Sequence, residues 1–228
     1  MDQRFNIKRS LSRRFFRIVG HAYLLIVYYV WFKGMCRGRI IGEENVERNI
    51  SAGFVLAANH VSILDPSILF GYFYFKHKID VAFLSGQRNY RGWFTSGIHD
   101  ASGSIKVRES GFAIGKDTLL QLSNVRVIGI FPEGGRSADG KLRRAKPGAV
   151  YISSRLNKPI VPAALNGFYD MWPKGRKLPR PARCTIIFGN EINWETIDTA
   201  ANWSGELENR TRQLMAAVGG LLTRGPEN

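Results

Sequence analysis

His60 and Asp65 stand five positions apart in Asn59-His60-Val61-Ser62-Ile63-Leu64-Asp65-Pro66, directly after an apolar run. A neutral imidazole is the natural general base near pH 7. A carboxylate at this spacing can hold one ring nitrogen and stabilise the imidazolium as it forms. This is the orienting role of the acid in a catalytic triad, without the nucleophilic serine. Ser62 lies two positions from His60, but no Gly-x-Ser-x-Gly elbow surrounds it, and it reads as a turn residue. A second run, Phe131-Pro132-Glu133-Gly134-Gly135-Arg136-Ser137, sets a carboxylate and a guanidinium three apart on a Gly-rich turn. Such a turn suits a phosphate. Arg136 can form one half of a clamp, and Arg108, at the end of Gly103-Ser104-Ile105-Lys106-Val107-Arg108, the other. Glu133 can hydrogen-bond a substrate hydroxyl or hold the arginine in place. Lys141, Arg143, Arg144 and Lys146 then lead into a helix start at Pro147-Gly148-Ala149, an approach that favours an anion. These residues point to deprotonation of a hydroxyl on a phosphorylated substrate.

The elements that must position them alternate between strand and helix. Phe54–Ala58 reads as a buried strand running into the His60 loop, and Pro66 suits the first turn of a helix over roughly 66–75. Short strands are expected at Val81–Leu84 and Ser104–Val107, then a helix at Gly111–Leu122. Val125–Phe131 is a strong buried strand that delivers the Glu133 turn. A helix at Ala149–Leu156 follows, then strands at Ile160–Leu165 and Cys184–Phe188, and a terminal amphipathic helix at Glu206–Leu222. The prolines of Lys158-Pro159-Ile160-Val161-Pro162 suit an edge strand or a pocket wall. The pattern predicts an α/β fold, a central mostly parallel or mixed sheet flanked by helices. Ligand sites in such folds lie at the carboxyl ends of strands, and both central motifs fall at such ends.

The chain has 228 residues, enough for one α/β domain with a full core, and 33 Lys and Arg against 18 Asp and Glu, a formal charge of +15. That excess favours an anionic partner. No RNA-binding aromatic signature or zinc-finger spacing is present, so a nucleic acid is not expected. Cys36 and Cys184 have neither metal spacing nor a disulfide framework, which predicts two ordinary thiols, a reducing compartment and no metal. Residues 18–32 form an apolar, aromatic run with basic residues on both sides. As a helix it is about 22 Å long, short of the roughly 30 Å hydrocarbon core. Tyr23, Tyr28, Tyr29 and Trp31 are rings that prefer the headgroup level. Residues 1–40 are therefore expected to be a membrane-associated helical arm, lying in or dipping into an anionic leaflet, with residues 41–228 as a single α/β domain. A buried helix with a basic tail is the competing reading.

These segments, in this order, resemble the glycerolipid acyltransferase family that includes the 1-acylglycerol-3-phosphate (lysophosphatidate) acyltransferases. The family's Asn-His-x-Ser-x-x-Asp motif matches Asn59, His60, Ser62 and Asp65. Its Phe-Pro-Glu-Gly-Thr-Arg-Ser motif matches everywhere except Gly135, where threonine is usual. Gly103, Ile105, Val107 and Arg108 match its second motif in part. Lys146-Pro147-Gly148-Ala149 and Ile160-Val161-Pro162 match the last two segments, so the resemblance spans residues 50–170. It implies transfer of a fatty acyl group from acyl-CoA or acyl carrier protein to a hydroxyl of a lysophosphatidate-like acceptor, with no cofactor beyond that co-substrate. His60 and Asp65 would be catalytic. Arg108, Glu133, Gly134, Arg136 and Ser137 would bind substrate. The enzyme would sit on the cytoplasmic face of a membrane, monotopic or held by a single N-terminal anchor. Another lysolipid as acceptor, or a non-catalytic basic membrane-binding module, are the alternatives.

Overall fold

The structure, a computed structural model, describes residues 19–86, 105–107, 114–194 and 203–223. Seven strands, β1 (Arg39–Ile41), β2 (Phe54–Ala58), β3 (Val81–Gly86), β4 (Ile105–Val107), β5 (Val127–Ile130), β6 (Ile160–Asn166) and β7 (Thr185–Phe188), form one sheet in the order β1-β7-β6-β2-β5-β3-β4. Every neighbouring pair is parallel except β6 with β7. The carboxyl ends of β2, β3, β4, β5 and β6 therefore share one edge of the sheet.

The helices are α1 (residues 19–35, α-helical to 25 and π-helical over Ile26–Met35), α2 (Glu43–Asn49) and α3 (Asp65–Tyr72, prolonged by a π-helical turn, Phe73–His77). They continue with α4 (Lys116–Ser123), α5 (Gly148–Leu156), α6 (Phe168–Met171) and α7 (Trp203–Thr223). Alternation along β2 sorts the core into two layers. Phe54, Leu56 and Ala58 face a cluster containing α1 and α3, while Val55 and Ala57 face one containing α4, α5 and α7. All five β2 residues are buried, as a central strand covered on both faces demands.

The apolar run near the N-terminus is built into this core. Leu24, Val27, Tyr28, Phe32 and Cys36 of α1 and its cap are buried, and Tyr28 lies so close to Gly71 of α3 that a Cβ there would meet its Cβ at 2.9 Å. At about 1.5–3 kcal/mol for each fully buried large side chain, the four hydrophobes from Leu24 to Phe32 contribute on the order of a whole domain's net stability. The opposite side of α1 exposes Val19, Leu25, Ile26, Tyr29, Val30 and Met35. The boundary expected at residue 40 falls within β1, which pairs with β7. Among the described residues no helix is long and apolar enough to cross a membrane.

Pro162 does not mark an edge: β6 lies between β7 and β2. The missing N–H is tolerated because the β6–β7 ladder begins one residue later, at Ala163 opposite Phe188, and Pro162 gives only its carbonyl, to Gly189 N. Pro162 also lines a cleft of about 1130 Å³ with Ile41, Phe188 and Leu221.

Candidate active site

β2 ends at Ala58, and the next side chain fixes where the chain goes. Asn59 is buried, and its amide bonds both ways to Leu165 on β6: Nδ2 donates to the carbonyl (3.3 Å) and Oδ1 accepts from the N–H (2.7 Å). His60 follows. Its backbone N–H donates to Glu133 Oε1 (2.9 Å), and its carbonyl accepts from Ser137 N (2.7 Å). The loop after β2 and the turn after β5 are thereby tied into one unit. The imidazole stacks on Phe131 with centroids 4.2 Å apart, and Phe131 stacks in turn on Phe83 of β3.

Asp65 opens α3, with Pro66 tolerated in its first turn. Its side chain is fully buried, and Oδ2 accepts three hydrogen bonds: from His60 Nδ1 (2.8 Å), Val61 N (2.7 Å) and Ser62 N (2.8 Å). An ionised carboxylate can only accept, so Nδ1 carries the proton and Nε2 is left with its lone pair. Oδ1 is buried without a partner among the described residues. Burial pushes the Asp65 carboxyl above its ordinary range, against the pull of His60 and the two amides. Those three fixed donors favour the ionised form that burial disfavours.

Ser62 is fully buried, and its Oγ accepts from Leu64 N at 3.3 Å. Its hydroxyl belongs to the turn that delivers Asp65.

Gly134 has φ +69°, a conformation that glycine adopts without strain, and closes a turn by donating to the Phe131 carbonyl (3.0 Å). The turn aims Glu133 inward. Its two oxygens accept from His60 N (2.9 Å) and Arg143 N (3.0 Å). Burial raises the Glu133 carboxyl, opposed by those same amides. Each oxygen accepts from a backbone amide, so in this geometry Glu133 acts as a latch between the His60 loop and the basic loop. Glu133→Gln would set an NH₂ against one of the two amides. It is expected to lower stability by about 1–3 kcal/mol, read from the denaturant midpoint. An unchanged midpoint would deny the latch.

Ser137 is buried, with its hydroxyl donating to Asp139 Oδ1 (2.9 Å). Arg136 is half-buried beside it, and its guanidinium makes no hydrogen bond or ion pair among the described residues. Lys146 lies over Gly134, its Cε 3.3 Å from where a Cβ would be. Lys141, Arg143 and Arg144 are exposed on the same loop. A Cβ at Gly135 would meet, among the described residues, only the Arg143 guanidinium, at 3.8 Å, so a Cβ there is not short of space. Arg108 lies outside the described residues; β4 ends at Val107, at the same edge of the sheet.

The arrangement is a proton acceptor, oriented by a buried acid, beside a turn rimmed with cations. Sequence reasoning missed the roles of Asn59, Phe131 and the Arg143 amide. A polar amide directly after five apolar residues was the one available signal for Asn59.

Residues 37–166 match the family model described as Acyltransferase. A 1-acyl-sn-glycerol-3-phosphate acyltransferase from Limnanthes alba is 39% identical over 71 residues, 30% of this chain and 25% of that protein. One from Cocos nucifera is 39% identical over 69 residues, 29% of this chain and 22% of that protein. These matches span about a quarter of the relatives' length. The crystal structure of the 1-acyl-sn-glycerophosphate (LPA) acyltransferase PlsC from Thermotoga maritima superposes with a TM-score of 0.64 at 19% identity, covering 100% of this chain and 85% of that one, and shares the fold. With the family model covering more than half of the chain and the dyad, latch and basic turn lying inside the matched segment, this chain belongs to the acyltransferase family.

Proposed function

We propose that the protein is an O-acyltransferase that moves a fatty acyl group from a thioester, acyl-CoA or acyl carrier protein, to the free hydroxyl of a lysophosphatidate-like acceptor, making phosphatidate. The observation that carries this reading is the His60–Asp65 pair, with Nδ1 held at 2.8 Å and Nε2 left as the acceptor. Nε2 takes the proton from the acceptor hydroxyl as its oxygen attacks the thioester carbonyl. The tetrahedral intermediate collapses, the carbon–sulfur bond breaks, and the leaving sulfur takes the proton back from the imidazolium. Asp65 stabilises that imidazolium. No acyl-enzyme forms on this route. Ser62→Ala is therefore expected to keep most of its turnover, and protein quenched with donor alone should have an unmodified mass. A stoichiometric acyl adduct on Ser62 would overturn direct transfer.

Arg136, together with Arg108, supplies the charge for the acceptor phosphate. Losing a charge-assisted hydrogen bond costs about 1.5–3 kcal/mol. Arg136→Ala should raise the KM for the phosphorylated acceptor by roughly 10- to 100-fold and that for the donor less, with partial rescue by lysine. A change confined to the donor would move this arginine to the donor phosphates and remove the argument for a phosphorylated acceptor.

The exposed apolar side of α1 supports a monotopic seat on the cytoplasmic side of an anionic leaflet, where such an acceptor resides. The reading as a whole is tested by a donor-by-acceptor matrix with mass-spectrometric detection. Lysophosphatidate is expected to exceed neutral monoacylglycerol and zwitterionic lysolipids as acceptor. Preference for another lysolipid would keep the acyltransferase and replace its substrate.

A further inference from the structure

The connection from α6 to β7, residues 172–183, has Lys174, Arg176, Lys177, Arg180 and Arg183 and no acidic residue. It is a shaped excursion. Trp172 Nε1 donates to the Arg176 carbonyl (2.9 Å), and Arg176 N to that of Pro173 (3.3 Å). Arg180 N bonds the Met171 carbonyl (2.9 Å), and its Nε bonds that of Asp170 (2.7 Å). Arg180 thus closes the base, while Lys174, Arg176, Lys177 and Arg183 are exposed with no acidic partner among the described residues. Leu178, between Lys177 and Pro179, is 74% exposed.

One exposed leucine is ordinary on a protein surface. The surroundings of this one are not. The excursion leaves the sheet from the carboxyl end of β6, the edge where His60 sits, and Tyr169 at its root donates to the Ala138 carbonyl beside the Glu133 turn (2.9 Å). At its other end Cys184 N bonds the Cys36 carbonyl, joining it to the end of α1 (3.3 Å). Ile63, in the His60 loop at the same edge, is 47% exposed. An exposed leucine among cations with no acidic partner among the described residues, on an excursion whose far end is bonded to the end of α1, fits a surface with phosphates outside and hydrocarbon within. A purely acidic protein partner would have no use for the leucine or for Ile63.

We infer that the 172–183 excursion is a second contact with an anionic lipid surface, Leu178 entering between headgroups while Lys174, Arg176 and Lys177 meet lipid phosphates. This rests on the leaflet reading above, and adds that the active-site edge itself is held against the lipid.

The test uses the full chain. Leu178→Cys is labelled with an environment-sensitive fluorophore; Cys36 and Cys184 are buried, and wild type carried through the same labelling reaction controls for them. Vesicles of phosphatidylglycerol and phosphatidylcholine should shift the emission to the blue, and nitroxide-bearing lipids should quench it. Replacing Lys174, Arg176 and Lys177 by glutamine should weaken vesicle partition by about fivefold for each charge. Turnover on a soluble short-chain acceptor should stay at the wild-type level. A water-exposed label on vesicle-bound protein would overturn this inference and leave the α1 contact standing. No vesicle binding at all would overturn both. A response to an acidic carrier protein but not to vesicles would assign the surface to a protein partner instead.

Discussion

His60→Ala is expected to fold normally and to lose turnover by about 100- to 10,000-fold, the range for a positioned general base. The expectation of normal folding is structural. The bonds that tie this loop to its neighbours run through the His60 backbone, to Glu133 Oε1 and from Ser137 N, and truncating the ring leaves both. What is lost is the imidazole on Phe131 and the only ring nitrogen that Asp65 orients. Circular dichroism and a single-turnover assay read the two quantities separately. A well-folded variant with near-normal turnover would remove the central claim.

Asp65→Asn is expected to separate activity from stability. Burial raises this carboxyl above its ordinary value. In the pH window between the unfolded and the raised folded pKa the native state holds more protons than the unfolded chain, so stability falls as pH rises through it. Asparagine removes that buried charge, but with its oxygen kept on the three donors it sets an NH₂ at the buried Oδ1 position, which has no partner among the described residues. These two effects oppose each other, and the melting temperature should change little at pH 7. Turnover should fall by about 100- to 10,000-fold, because the amide neither stabilises the imidazolium nor enforces the tautomer that frees Nε2. Because Asp65 acts through His60, the double variant should be no slower than His60→Ala alone. A sharply lower melting temperature with turnover lost in proportion would make Asp65 a structural residue.

The parts of the site legible in sequence are local. An apolar run ending in Asn59-His60, five residues before an acid at a helix start, fixes the dyad within one strand–loop–helix unit. Likewise, Val127–Ile130 and the glycines after it fix the second turn. What was not legible depends on distant partners. The bonds from the amides of residues 60 and 143 to the two Glu133 oxygens join positions 73 and 10 residues away in the chain and have no local signature. The bond from Asn59 to Leu165 spans 106 positions and has no local signature. β1 is three residues with only Ile40 turned partly inward, too short for alternation to register. α1 is apolar on both sides, so its pattern does not separate the side packed on Gly71 from the side left exposed.

The most direct test of the account is the stoichiometry of a single reaction. Purified enzyme, a fatty acyl thioester and lysophosphatidate are mixed, and free thiol and phosphatidate are followed together. The account predicts that both appear in a one-to-one ratio from the first turnover, with no thiol released when the acceptor is omitted. Thiol released at the same rate without acceptor, or in excess of phosphatidate when acceptor is present, would mean that water or an enzyme side chain takes the acyl group, and would contradict it.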